Sequence, residues 1–249
     1  MIIPKPADTL HKAWLYRLLT KLADDIWLTQ HLYFKGGTCA ALLNRLDRFS
    51  VDLDFDFIEA TPTTILACRT KLKQHFSDLG LTIKDESKIG LQYFLKYAAL
   101  PNQRSIIKVE ASFPPPQSNI YETLYFDEID RTLCTQTIET MFANKLVALL
   151  DRWEKHQSLA GRDIYDIHYF FLRGYRYHTA IIEERRATSV EKFFQELITF
   201  IASHVTTTVL QQDLNMLLPA ETFQRIRPIL KAETLRLLND ELKRLHSKQ

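Results

Sequence analysis

Three aspartates alternate with apolar residues in one short segment of the sequence, VDLDFDF. Asp52, Asp54 and Asp56 would share one face of a β-strand, because residues two apart point the same way. An exposed edge strand explains this alternation. It does not explain why every polar position is acidic, because like charges repel and aspartate is depleted in strands. A face that binds divalent cations does explain it. We predict that Asp52 and Asp54 bind one or two Mg²⁺ ions and that Asp56 lies further out, in solvent.

A further carboxylate is expected from a neighbouring strand. In the segment IIKVEASF, alternation places Lys108, Glu110 and Ser112 on one face, and Glu110 is the candidate metal ligand. Spacing alone supports equally well an ordinary glutamate on the surface of a strand. The metal set predicted here is therefore Asp52, Asp54 and Glu110.

A glycine pair precedes the aspartates, and Asp52 follows Gly37 by 15 residues. Gly36-Gly37 at a strand-to-helix turn would let the backbone approach a ligand closely and would leave free N–H groups for a phosphate. Many such turns are merely tight, but the acidic strand that follows favours a loop that holds a triphosphate. Arg48 and Ser50, just before the aspartates, carry a guanidinium and a hydroxyl suited to phosphate oxygens.

The hydrophobic pattern predicts a change of structural class near residue 135. Before it, we predict helices and strands over these segments: a helix from Thr9 to Ile26, a strand at Leu32–Phe34, a helix carrying Cys39 to Leu46, a strand at Val51–Phe57, a helix capped by Thr63 or Thr64 that ends at Gly80, and strands at Leu81–Lys84, Gly90–Ala99 and Ser105–Phe113. After it, helical periodicity dominates: Glu139–Trp153, Arg162–Arg173, Val190–Val205 and Ala232–His246. The chain is therefore predicted to be α+β over residues 1–134 and mainly helical over residues 135–249.

Composition excludes several classes of protein. The net charge of +2 makes no demand for a nucleic-acid partner, and the apolar runs are far shorter than the roughly 20 residues of a membrane span. The three cysteines are widely separated and the N-terminal segment is too polar for a secretory signal, so we expect a cytoplasmic protein without disulfides. The sequence contains no P-loop and no GxSxG motif, and RDIYD lacks the other elements of a kinase catalytic loop.

Two blocks of sequence resemble a known family. KGGT, from Lys35 to Thr38, and RFSVDLDF, from Arg48 to Phe55, resemble the AbiEii/AbiGii toxin nucleotidyltransferases of the DNA polymerase beta-like superfamily. A second block from Met141 to Phe170 resembles a later family segment with a lysine and an RDxxD motif. The resemblance covers about residues 30–57 and 105–172. It implies a nucleotidyltransferase core with a mixed β-sheet flanked by helices, followed by a mainly helical C-terminal domain.

The resemblance also assigns roles to residues. It implies that the C-terminal domain contributes Lys145, which would contact the nucleotide phosphates, and Asp163, which would support the active site, with Asp166 second. Taken by itself, Lys145 is more readily a solvated helix lysine, and Asp163 is more readily a charge favoured by a helix N-terminus. The residues expected to be catalytic are Asp52, Asp54, Glu110, Lys145 and Asp163. The residues expected to bind the nucleotide are Gly36, Gly37, Thr38, Arg48, Ser50, Lys145 and Asp166.

The implied activity is transfer of a nucleoside monophosphate from an NTP to an acceptor hydroxyl, with two Mg²⁺ ions, or Mn²⁺, as cofactors. By analogy with the family, the acceptor is RNA, at the 3′ end of tRNA, and the protein is a toxin neutralised by a separate antitoxin. A protein hydroxyl is the alternative acceptor, and a catalytically inactive relative that acts as a binding module is the alternative class. The last 25 residues hold seven lysines and arginines against three acids, which indicates either a solvated helix face or an RNA-binding patch.

Overall fold

A computed structural model of the chain describes residues 1–247. Lys248, counted above with the basic C-terminal residues, lies outside them. The helices are α1 (Thr9–Ala23), α2 (Ile26–His31), α3 (Gly36–Leu42), α4 (Pro62–Asp78), α5 (Ile138–His156), α6 (Gly161–Leu172), α7 (Thr179–Arg186), α8 (Val190–His204), α9 (Thr207–Leu214), α10 (Ala220–Ile226) and α11 (Leu230–His246). The strands are β1 (Leu32–Lys35), β2 (Leu53–Phe57), β3 (Thr82–Glu86), β4 (Leu91–Lys96), β5 (Ile106–Ser112), β6 (Tyr121–Phe126) and β7 (Arg131–Gln136).

The chain forms two compact units, and the first contains Met1–Pro115 and Ile120–Thr137. Its seven strands make one mixed sheet in the order β3-β4-β5-β2-β1-β7-β6. The central strand β2 runs antiparallel to β1 and parallel to β5. Leu53, Phe55 and Phe57 of β2 are buried in the core, as the alternating pattern predicts.

The second unit contains Pro116–Asn119 and the chain from Ile138 onward, and its regular elements are the helices α5 to α11. Helix α6 packs against α5, α9 and α11. Gly161 allows the contact with α9, because a Cβ at this position would lie 2.7 Å from the Val209 carbonyl oxygen and 2.8 Å from the Leu210 Cα. The predicted α+β core, with helices flanking a mixed sheet and a helical C-terminal region, is confirmed.

Several predicted boundaries differ from the structure for local reasons. The single helix predicted from Thr9 to Ile26 ends at Ala23, and α2 starts anew because the Asp25 side chain caps it by accepting the Leu28 N–H at 3.1 Å. The cap of α4 is Thr61, not Thr63 or Thr64, because Pro62 occupies the first helical turn. Gly80, with φ +70, ends the helix region as predicted.

The hairpin of β6 and β7 was not predicted, and β7 extends past residue 134 to lie parallel to β1. Within residues 1–247, none of the helices has both the length and the apolar character that a membrane crossing requires.

Candidate active site on the acidic face of the sheet

The central residues of the site lie in one row across three strands. The register pairs Lys35 of β1 with Asp54 of β2, and Asp54 with Glu110 of β5. Two residues further along β2, Asp56 is paired with Ser112. Asp52 stands two residues before Asp54, just ahead of the strand. We call Lys35, Asp52, Asp54, Asp56 and Glu110 the acidic face. The register thus places two of the three predicted metal ligands, Asp54 and Glu110, side by side on neighbouring strands.

The glycine pair faces protein side chains at very short range. Gly36 has φ +80, and a Cβ built on it would lie 2.6 Å from Asp54 Oδ2. A Cβ on Gly37 would lie 2.7 Å from Arg48 Nη2 and 3.0 Å from Ser50 Oγ. All three distances are shorter than an ordinary van der Waals contact, so a side chain at Gly36 would have to displace Asp54, and one at Gly37 would have to displace Arg48 and Ser50. The turn therefore lies directly against the Asp54 carboxylate, where α3 begins at Gly36.

Thr38 links this turn to the aspartates. Its hydroxyl hydrogen-bonds to Ser50 Oγ at 2.9 Å and donates to the backbone carbonyl of Asp52. Arg48 and Ser50 are buried, at 2% and 7% exposure, and Arg48 donates to the Phe49 carbonyl. Their burial favours a supporting role beneath the turn over direct contact with phosphate. The motif residues Thr38, Arg48 and Ser50 thus position Asp52 and the glycine turn.

The electrostatics of the acidic face leave Asp54 with uncompensated negative charge. Burial raises the pKa of Asp54, and the neighbouring charges of Asp52 and Glu110 add to the increase against the opposing charges of Lys108 and Lys35. Burial also opposes ionisation of Glu110, but its hydrogen bond and ion pair with Lys108 outweigh this and lower its pKa. A cation beside Asp52 and Asp54 would relieve this repulsion.

The prediction that Asp56 lies in solvent is wrong. Its side chain is 1% exposed, and it is bound by Lys35 Nζ at 2.6 Å, Gln136 Nε2 at 2.6 Å and Tyr121 OH at 2.9 Å. A buried carboxylate needs such donors to offset the loss of water. Tyr121 and Gln136 lie on the hairpin that the sequence did not predict, so no signal near Asp56 could have shown its burial.

The oxygen ligands of the acidic face suit Mg²⁺. Across residues 1–247, no group of three or more histidine, cysteine, aspartate or glutamate side chains is arranged to hold a metal by itself. Mg²⁺ is commonly held by one or two carboxylates together with water and substrate phosphates, without an all-protein cage. Asp52 and Asp54, with Asp54 left short of positive charge, fit that mode of binding.

In the second unit, Lys145 is fixed by two buried aspartates. Its Nζ lies 3.0 Å from Asp163 Oδ1 and 2.9 Å from Asp166 Oδ2, and these aspartates are 1% and 0% exposed. Arg152 Nε lies 3.4 Å from Asp163 Oδ2. Burial opposes ionisation of Asp163, but the charges of Lys145 and Arg152 outweigh it and lower its pKa. The Lys145 ammonium group is therefore fixed in place by ion pairs, and Lys145 is not a freely solvated lysine on the helix surface.

A comparison with known protein families identifies the family to which the chain belongs. Residues 17–236 match the family described as "Nucleotidyl transferase AbiEii toxin, Type IV TA system". The chain belongs to the AbiEii family. It is accordingly a nucleotidyltransferase toxin, with a nucleotide as substrate and an antitoxin as its counterpart. None of the curated proteins matches the chain.

Solved structures share the AbiEii fold. A candidate nucleotidyltransferase from H. pylori has 21% identity and a TM-score of 0.60, covering 98% of this chain and 99% of its own. JHP933 from Helicobacter pylori has 19% identity and a TM-score of 0.56, with 98% and 97% covered. MenT4, a nucleotidyltransferase toxin from Mycobacterium tuberculosis, has 17% identity and a TM-score of 0.59, with 96% and 87% covered. These likenesses show the fold of the chain.

The basic residues of α11, the last helix of this AbiEii chain, are largely paired within the second unit. Lys243 contacts Asp240, Arg244 contacts the buried Glu241, and His246 lies 2.6 Å from Glu191. These pairs favour the interpretation of a solvated helix face, and RNA binding by this helix stays a prediction.

The glycine turn gives a sharp test of the site. Gly36→Ala is expected to lower nucleotidyl transfer about 10²-fold, because the new methyl group must displace the Asp54 carboxylate, and small misplacements of catalytic groups have effects of this size. The matched control is Gly80→Ala, which has a similar φ of +70 but nothing within 4 Å of the added Cβ. Both variants should lose about 1 kcal/mol of stability from backbone strain, measured by urea unfolding. Equal activity in the two variants would contradict the assigned role of the turn.

Proposed function

We propose that this AbiEii-family toxin transfers a nucleoside monophosphate from an NTP to a hydroxyl at the 3′ end of tRNA, with Mg²⁺ or Mn²⁺ as cofactor, in the cytoplasm. One observation carries the proposal: the Asp54 carboxylate lies against the Gly36 turn, so a metal ion bound by Asp54 would lie next to a triphosphate bound by the turn.

Within the first unit, the carboxylate side chains and the backbone N–H groups would have different roles. Asp52 and Asp54 would hold two Mg²⁺ ions, and Glu110 would complete the metal site once it leaves Lys108. The backbone N–H groups of Gly36 and Gly37 would hold the triphosphate. When bound, Mg²⁺ would acidify the acceptor hydroxyl and offset charge on the leaving pyrophosphate.

The reaction itself is a substitution at phosphorus. The acceptor oxygen forms a bond to the α-phosphorus, and the bond from that phosphorus to the bridging oxygen breaks to release pyrophosphate. Glu110, on the strand beside Asp54, would receive the hydroxyl proton once it has left Lys108. The family resemblance assigns Lys145 to the nucleotide phosphates and Asp163, with Asp166 second, to support of the active site. In the second unit both aspartates lie within ion-pair distance of the Lys145 ammonium.

The acceptor can be identified directly. The purified protein is incubated with Mg²⁺, total RNA and each of the four labelled NTPs in turn. The expected result is label in RNA of tRNA size with at least one NTP, and no label when EDTA is present. Periodate-oxidised tRNA, which lacks a free 3′ hydroxyl, should stay unlabelled. Label in protein would replace the RNA acceptor by a protein hydroxyl, and no label in either would favour a binding module.

A further inference from the structure

One lysine of the acidic face is fixed in place beside the carboxylates. Lys35 Nζ lies 2.6 Å from Asp56 Oδ1 and 3.1 Å from Ser112 Oγ. The lysine side chain is only 21% exposed. Its residue directly precedes the glycine turn and stands opposite Asp54 in the sheet register. The ammonium group therefore has a defined position on the same face of the sheet as the metal ligands.

Asp56 is the anchor that holds this ammonium. While Oδ1 binds Lys35, Oδ2 accepts hydrogen bonds from Tyr121 OH at 2.9 Å and Gln136 Nε2 at 2.6 Å. Tyr121 and Gln136 are themselves paired across β6 and β7. Because both oxygens have donors and the side chain is 1% exposed, Asp56 is occupied as an anchor and is not offered to a metal ion.

The charge of Lys35 reaches the metal ligands. In the sheet register Lys35 is paired with Asp54, and Asp54 with Glu110, so the lysine and both carboxylates lie in one row on the same face. A cation fixed this close to two carboxylates must also repel any divalent ion that approaches them, since the interaction falls only as the inverse of distance. A triphosphate would supply the negative charge that outweighs this repulsion.

We propose that Lys35, anchored by Asp56, is a positioning residue that weakens binding of divalent ions to the acidic face until an NTP binds. The proposal rests on the metal site of the proposed function. It makes metal and nucleotide bind cooperatively, and such coupling is reciprocal between the two ligands. The free enzyme would then hold little metal, and the ions would be bound together with the triphosphate.

The test is Mn²⁺ titration of the full chain by electron paramagnetic resonance, with and without a non-hydrolysable NTP analogue. In the wild type, the analogue should tighten Mn²⁺ binding at least about tenfold. Lys35→Gln removes the charge but leaves Asp56 with its donors Tyr121 and Gln136. In the absence of the analogue, the Lys35→Gln variant should bind Mn²⁺ at least about tenfold more tightly than the wild type does. Adding the analogue should then increase the Mn²⁺ affinity of the variant by a smaller factor than it does in the wild type.

Two control variants separate charge from structure. Lys35→Arg keeps the positive charge and should restore the wild-type affinities, whereas Lys84→Gln removes an exposed lysine from the edge strand β3 and should change nothing. A purely structural role for Lys35 would make Lys35→Gln bind Mn²⁺ as weakly as wild type or more weakly, which would overturn the proposal. If Lys35→Gln does not fold, the wild-type titration alone tests the proposal. Wild-type Mn²⁺ affinity that is the same with and without the NTP analogue would overturn the proposal as well.

The variant Asp54→Asn distinguishes the proposed role of Lys35 from the proposed metal site on which that role depends. Loss of Mn²⁺ binding in that variant supports the metal site itself, whatever the Lys35 variants show. Unchanged Mn²⁺ binding in Asp54→Asn would refute the metal site, and with it the premise of the coupling.

Discussion

Asp54→Asn is expected to abolish nucleotidyl transfer, lowering the rate by at least about 10³-fold. The substitution preserves the size of the side chain beside Gly36 but removes the charge that would bind the metal. Label incorporated from an NTP measures the rate, and growth of bacteria that express the chain measures toxicity. The wild type should arrest growth and Asp54→Asn should not.

The same variant should be at least as stable as the wild type. The pKa of Asp54 is raised in the fold, so its ionised form is disfavoured there and lowers stability above the ordinary pKa of an aspartate. Asparagine carries no charge at neutral pH and removes that cost, so the melting temperature should be unchanged or higher. The matched control is Asp85→Asn on the edge strand β3, an exposed site where activity should be unaffected. Full activity in Asp54→Asn would refute the catalytic role of Asp54. A lower melting temperature of this variant would show that its loss of activity comes from impaired folding.

Asp163→Asn is expected to destabilise the second unit by about 2–3 kcal/mol at pH 7. Removing one partner of a buried ion pair typically costs roughly 3–5 kcal/mol, and the partial exposure of Lys145 and Arg152 reduces this figure. The free energy of unfolding in urea measures the loss. The control Asp240→Asn breaks an exposed pair with Lys243 and should change stability by less than about 0.5 kcal/mol.

The pH dependence of this difference tests its origin. The pKa of Asp163 is lowered in the fold, so its contribution is present above the ordinary aspartate value of 3.8 and is lost as the pH falls through the folded value. The stability difference between wild type and Asp163→Asn should therefore be constant above about pH 4 and shrink progressively as the pH falls below it. A difference that stays constant from pH 7 to pH 3 would show that packing, and not the ion pair, is responsible.

The central part of the site could be predicted because its information is local. Asp52, directly before β2, and Asp54, within it, are two residues apart, and the glycine pair stands at the end of the strand that pairs with β2, so spacing alone predicts a shared face. Glu110 follows from the same alternation on β5. Lys35 stands directly before the glycines. This position in the motif was a signal that could have predicted a role for Lys35 on the acidic face.

The environment of Asp56 depends on residues far away in the chain. Its donors Tyr121 and Gln136 belong to a hairpin whose strands alternate only weakly between apolar and polar residues, and the predicted domain boundary at residue 134 cut through β7. Alternation predicts which face a side chain points to, but burial of that face is decided by what packs over it. For the same reason, the buried state of Arg48 and Ser50 was not foreseen.

The path of the chain between the two units bears on biosynthesis. Pro116–Asn119 belongs to the second unit, where Glu184 accepts hydrogen bonds from the Gln117 and Ser118 N–H groups, and the chain then returns to form β6 and β7. A ribosome must therefore release residues through Gln136 before both donors to Asp56, the anchor of Lys35, are available. A nascent chain that stalls near residue 115 would carry every predicted metal ligand and still lack the strand that covers the open edge of β1.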